Sequence, residues 1–150
     1  MTNIEKPFAS SAEPLISANE FKKRLVELCV QSRITTFPRK YRDRHIIFKS
    51  VVLMLDVKQM YSEAEINDGL RIWLADVAPS LQIDHLKLRR WMIEEFYLGR
   101  QRDGSRYWVA VFGPPETIFE PDVDDVDVHE ILSQGRREMA RRKQEHLEAS

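Results

Sequence analysis

The chain of 150 residues has one cysteine, Cys29, only five glycines and no long apolar run. A single thiol excludes an internal disulfide and any metal site built on several thiolates. The longest aliphatic stretch, "VVLML" at 51–55, falls far short of the ~20 residues that a membrane-spanning helix needs. There is no glycine-rich phosphate loop and no nucleophile elbow. The four histidines (45, 85, 129 and 146) lack metal-ligand spacing, and none forms a cysteine–histidine pair. The run "DVDDVDVHE" (122–130) resembles a calcium loop, but its fifth and sixth positions are Val126 and Asp127 where the loop requires a glycine at the sixth. MTNIEKPFASS lacks the charged head and apolar run of a secretory signal. These absences lead us to expect a cytoplasmic, non-membrane chain with no cofactor, no metal and no catalytic machinery.

What is present fits a globular protein: 43% hydrophobic and 31% charged residues, in a length suited to one domain. The net charge of −1 conceals an asymmetry. Residues 33–108 carry 14 Lys/Arg against 10 Asp/Glu, whereas residues 109–150 carry five against ten. A basic middle followed by an acidic end points to an anionic partner for the middle, unless it is only an uneven solvated surface.

Residues 1–16, with Pro7, Pro14 and a Ser-Ser pair, read as a flexible leader, and 17–32 as an N-terminal helix. Ser17-Ala-Asn-Glu20 has the form of a capping box, and Phe21, Leu25, Leu28 and Cys29 make one apolar face behind it. A domain follows over 33–112. Pro38 keeps "TTFPRKYRDRH" extended at its start. A second, centrally buried helix is expected over Asp43–Asp56, a short extended link at 58–61, and a third helix from the capping box Ser62-Glu-Ala-Glu65 to about Val77. Asp84 is placed to cap a fourth helix running to residue 96, with Leu86, Leu88, Met92, Ile93 and Phe96 on its apolar arc. Asp103-Gly104 then signals a two-residue hairpin turn, which pairs Leu98 with Val109, Gly99 with Trp108 and Arg100 with Tyr107. Gly113-Pro114-Pro115 ends the second strand. Residues 113–150 form an acidic linker and a C-terminal helix from about Val128, with Val128, Ile131, Leu132 and Met139 along one stripe. The expected fold is mainly α with a small β-hairpin: a winged helix-turn-helix with extra N- and C-terminal helices.

"TTFPRKYRDRHIIFKSVVLMLD", "YSEAEINDGLRIWL" and "LRRWMIEEFYLGRQRDGSRYW" together resemble a prokaryotic family known only as a domain of unknown function. The shared pattern is an FP-plus-basic opening, Y-[ST]-E-x-E-[IV]-N, L-R-R and R-x-x-D-G-x-x-Y, over about residues 34–108. The resemblance implies a winged-helix module, found alone or fused to ArsR-type regulators, and hence work connected with transcription. The chain departs from the pattern at Phe96, where the family usually has a glycine. A phenylalanine resists the left-handed conformation, so the fourth helix is expected to run on toward Gly99.

On a helical wheel Lys87 and Arg90 lie opposite the apolar arc, where a guanidinium can bond guanine or clamp a phosphate. The competing reading is a solvated face with Arg90 paired to Glu94. Arg89 falls within the arc and is expected to be structural, its head paired to a carboxylate. Arg100, Arg102 and Arg106 surround the hairpin tip, either gripping phosphate or protecting a strand edge. The run with Arg39, Lys40 and Arg42 reads either as a solvated loop or, combined with the wing and Arg90, as an extension of one positive surface. The functional expectation is a transcriptional regulator binding double-stranded DNA, with helix 84–96 in the major groove and the wing on the backbone. The alternative is a winged helix used as a protein-interaction module. The terminal helices are expected to pack together, within one subunit or across a homodimer, and to hold the acidic segment beside the basic middle.

Overall fold

The computed structural model describes residues 14–111 and 117–149. Five α-helices and one antiparallel hairpin lie among them: α1 (Ala18–Val26), α2 (Tyr41–Val52), α3 (Glu63–Asp76), α4 (His85–Glu94), β1 (Leu98–Arg100), β2 (Tyr107–Val109) and α5 (Val128–Ala149). The chain is mainly helical with a small hairpin, consistent with a winged-helix-like arrangement. No described helix is long and apolar enough to cross a membrane.

The helix starts follow from their caps. At α3 both halves of the box form: Ser62 Oγ accepts from the Glu65 amide (3.1 Å) and Glu65 accepts from the Ser62 amide (2.8 Å). At α1 only the Ser17 half forms, because Glu20 accepts from Arg42 instead (2.7 Å). Asp84 caps α4 through the Lys87 amide. Beyond α1 the chain widens into a π-helical turn over Glu27–Gln31, which buries Leu28, Cys29 and Val30 in succession.

α2 is the buried centre, with Ile46, Ile47, Phe48, Val51 and Val52 in the core. It starts two residues earlier than expected and ends at Val52 rather than Asp56. There Met54 and Leu55 donate to Val51 and Val52, tightening the last turn. α3 buries Ile66, Leu70 and Trp73 against it, and the indole N–H of Trp73 donates to Ser50 Oγ at 2.9 Å. A buried indole thus keeps its hydrogen bond, and Ser50 passes its own to the Ile47 carbonyl.

The strand register is the expected one: Leu98 opposite Val109, Gly99 opposite Trp108, Arg100 opposite Tyr107. Tyr61, in the extended link, exchanges two backbone hydrogen bonds with Tyr107 (2.8 Å each) and anchors the hairpin to the helices. The turn differs from expectation. Among the described residues only Arg33, Phe96 and Gly104 have positive φ, so Asp103 does not adopt the conformation a two-residue primed turn requires. The Gly104 amide instead donates to Gln101, and Asp103 accepts from both the amide and the hydroxyl of Ser105, making a four-residue loop across Gln101 and Arg106. The aspartate side chain does locally what a second positive φ would have done.

α4 also ends differently. Phe96 adopts φ 67°, the helix stops at Glu94, and Gly99 lies in β1. Tyr97 N–H donates to Met92 and Phe96 N–H to Ile93, the two bonds of a Schellman cap, with Tyr97 and Met92 both buried. Burying Tyr97 beneath the cap outweighs the ~1–2 kcal/mol that a left-handed side-chain-bearing residue costs.

The terminal segments join the same core. Ile16, assigned to the leader from the sequence, is fully buried and bridges Phe119; residues 1–13 and Gly113-Pro114-Pro115 lie outside the described residues. α5 packs on α1 within the one chain, burying Val128, Ile131 and Leu132, with Gly135 against Val26. Met139, expected on the buried stripe, is 44% exposed because the helix has by then left α1 behind.

Candidate nucleic-acid interface

α4 turns Leu88 and Met92 into the core and leaves Leu86, Lys87, Arg90 and Glu94 outward. Leu86, assigned to the apolar arc from the sequence, is 48% exposed. Residues 86, 90 and 94 succeed one another at helical i+4 spacing, so the wheel itself places Leu86 beside Arg90. Phe96, also assigned to the arc, is exposed because the cap swings it away from the helix axis.

A groove of about 630 Å³ runs along this face to the root of the hairpin. Lys87, Arg89, Arg90 and Arg100 line it together with Leu86, Ile93, Asp84 and Glu94. Arg89 is paired with Glu63, which leaves Lys87, Arg90 and Arg100 against Asp84, the α4 cap, and Glu94. Arg90 and Glu94 are spaced to pair but do not; the side chains of Arg90, Arg100, Arg102 and Arg106 are exposed and make no hydrogen bond or ion pair with a described residue, although, beside the Ser105 hydrogen bonds, the Arg106 charge helps to hold the Asp103 carboxyl below its ordinary range.

The opposite flank of α4 carries an aromatic cluster that the sequence reading missed. Phe37 packs on Trp91 (4.9 Å between centroids) and on Phe48 (5.3 Å). Arg44 sits over all three rings, and Lys87 Nζ lies 5.7 Å from the Trp91 centroid. The FP dipeptide and the Trp91 spacing were the available signals. This contact brings the turn bearing Arg39 and Lys40, both exposed, beside α4.

Two other cations are spent on the fold. Arg42, grouped from the sequence with the anion-contacting residues, bonds Glu20 and the Pro14 carbonyl and ties the N-terminal segment to α2. Arg89 has the structural role expected of it: it donates to Asn67 (2.7 Å), pairs with Glu63 (3.4 Å) and lies over the Tyr107 ring. It thereby clamps α3, α4 and the hairpin together.

Beneath the α4 cap, His45 is 2% exposed and its Nδ1 stands 2.6 Å from the Tyr97 hydroxyl. Burial, aided by the neighbouring Arg44 charge, pushes His45 down to about 4, so a neutral ring shares this hydrogen bond with the phenol. Burial likewise holds the Tyr97 phenol well above its ordinary range. No group of three or more His, Cys, Asp or Glu residues able to hold a metal occurs among the described residues.

A three-helix unit with a hairpin folded beside the exposed, basic face of its last helix is the class of domain this geometry defines. The chain belongs to the family described as uncharacterized protein conserved in bacteria (DUF2087), whose model matches residues 33–109. That span holds α2 to β2, leaving α1 and α5 outside it. Comparison with curated proteins and with solved structures returns no match.

Proposed function

We propose that the protein binds double-stranded DNA through α4 and the hairpin and acts as a winged-helix transcriptional regulator. The observation that carries this reading is the groove in which Lys87 and Arg90 of α4 face the same space as Arg100 of β1. An α-helix presenting exposed cations fits a major groove, where Arg90 has bidentate reach to guanine and Leu86 offers apolar contact to a thymine methyl. Arg102 and Arg106, at and beside the hairpin tip, reach the flanking phosphates, with Arg39 and Lys40 extending the positive surface on the other flank. Binding then depends on counterion release, so affinity falls steeply with salt.

The test is a fluorescence-anisotropy titration of duplex DNA at several salt concentrations. Arg102→Ala and Arg106→Ala should each weaken binding for all sequences alike and lower the salt slope by about one. Arg90→Ala should in addition relax sequence preference. Unchanged affinity in the triple variant, with helicity intact, refutes the reading.

A second reading, a winged helix used for protein docking, draws on exposed Leu86 and Phe96 and on Glu94 within the groove. It calls for tight partner binding that is insensitive to salt and lost in Leu86→Asp.

A further inference from the structure

A second concavity lies away from α4. Its volume is about 740 Å³, within the range of small-molecule sites. One wall is the end of α2 and the turn after it, with Val52, Leu53, Leu55 and Val57; another is the end of β2, with Val109 and Val111. The third, formed by Phe119, Glu120, Pro121 and Asp124, lies beyond the span that the family model matches. The site is thus completed by a segment outside the matched span.

Its surface is apolar where an isolated domain would bury or avoid such residues. Val57 and Val111, at its mouth, are 55% and 52% exposed. Tyr97 contributes to the lining, but its hydroxyl is already committed to His45, so it offers ring surface rather than a hydrogen bond. The charged groups are unequal in number. Lys49 is the single cation, and it is taken: it pairs with Asp124 at 2.6 Å and sits 5.6 Å from the Phe119 ring centroid. Asp56 and Glu120 remain as carboxylates without an ion-pair partner among the described residues. An apolar body would fill the pocket and a positive head would be attracted to the two exposed carboxylates, which would repel an anion, most strongly at low salt.

We infer that this cavity, between the α2 end, the root of the hairpin and the Phe119–Asp124 segment, is a binding site for a small amphipathic organic cation. The pocket adjoins the hairpin root through Tyr97, whose carbonyl accepts from the Ala110 amide.

Calorimetry on the full chain tests this with tetraphenylphosphonium as cationic probe and anilinonaphthalene sulfonate as an anion of similar bulk. The cation should bind saturably and raise Tm, and the anion at least tenfold more weakly. Asp56→Asn with Glu120→Gln, both mild surface changes, should weaken the cation about tenfold while leaving Tm of the free protein in place. Leu53→Trp, which fills the cavity, should abolish binding. Equal affinity for both probes, no saturable binding of the cation below about 1 mM, or binding untouched by both variants overturns the assignment. No DNA enters this assay, so its failure leaves the reading of α4 standing, and the reverse holds as well.

Discussion

Two residues of α2, Asp43 and His45, tie the fold to pH through opposite chemistry. Arg24 grips Asp43 with two parallel hydrogen bonds (2.8 and 2.9 Å), holding that carboxyl below its usual range. His45 is held neutral, pushed from 6.5 to about 4 by burial. The unfolded chain therefore binds a proton at His45 that the native state refuses between these values, so stability falls as pH drops from about 6.5 toward 4. Full titration of the site amounts to roughly 3 kcal/mol. The Asp43 contribution is present above the ordinary carboxylate pKa and is lost only at lower pH, as the native carboxyl is itself protonated. Urea denaturation from pH 7 to pH 4 should show the first loss, and His45→Phe should flatten that window while leaving the more acidic loss in place. At the α4 cap, Phe96→Gly relieves a left-handed phenylalanine whose ring is 58% exposed and should raise stability by about 1 kcal/mol, read from the denaturation midpoint. A lower midpoint would mean that the ring packs better than its exposure indicates.

At the scale of the element, the hairpin depends on a glycine for a reason other than backbone freedom. A Cβ at Gly99 would stand 2.3 Å from Nε1 of Trp108, so the indole lies directly over the bare backbone of the facing strand. Cross-strand Gly99 is what the Trp108 indole covers. Gly99→Ala should push the indole off, costing about 1–3 kcal/mol as an overpacking change. Trp108 emission should shift red as the ring meets water. An unshifted spectrum and unchanged stability would show that the ring has room to move. Arg89 acts on the same element from the other side, since its guanidinium lies over Tyr107, which also bonds Tyr61. The hairpin is thus held by α3 and α4 as well as by its own two strands.

For the whole molecule, the question is what the segments outside the family span contribute. Val123, Val126, Val128, Ile131 and Leu132 are core residues, so the acidic linker and the start of α5 belong to the folded unit. Removing residues 117–150 would delete these side chains and uncover the core surface they pack on, a loss of about 1.5–3 kcal/mol for each large aliphatic burial, which together rivals the 5–15 kcal/mol stability of a whole domain. Removing residues 140–150 takes, among the described residues, only exposed helix and should change stability by under about 0.5 kcal/mol. Thermal melts of the two truncations should separate these outcomes sharply. The acidic segment meets the basic middle at Lys49, bonded to Asp124, and not in the α4 groove. Under the proposed DNA binding, electrostatic competition by these carboxylates is measured with Asp122→Asn plus Asp125→Asn, which spare the core residues that truncation removes. We expect a modest gain in low-salt DNA affinity that shrinks at high salt.

Much of this was written locally. The capping serines, most of the apolar positions of α1 to α4 and the alternation across residues 98–109 depend on near neighbours in the chain and appear where those neighbours put them; Leu86 and the ends of α2 do not. The hairpin register was legible because side chains alternate with a period of two and one face is buried. Local rules failed where a distant partner outbid a near one. Glu20 gave up its capping bond to Arg42, and Phe96 accepted a strained φ so that Tyr97 could be buried against His45. Met139 stayed in water because α1 had ended. In the candidate site, Lys87, Arg90 and Arg100 were legible as exposed cations from their period. That Lys87, Arg90 and Arg100 line one groove, while Arg42 and Arg89 are consumed by the fold, was decided only by the packing of α4 on α3 and β1. Charge type is a property of a residue, but whether a charge has a partner depends on what the rest of the chain brings within a few ångströms of it.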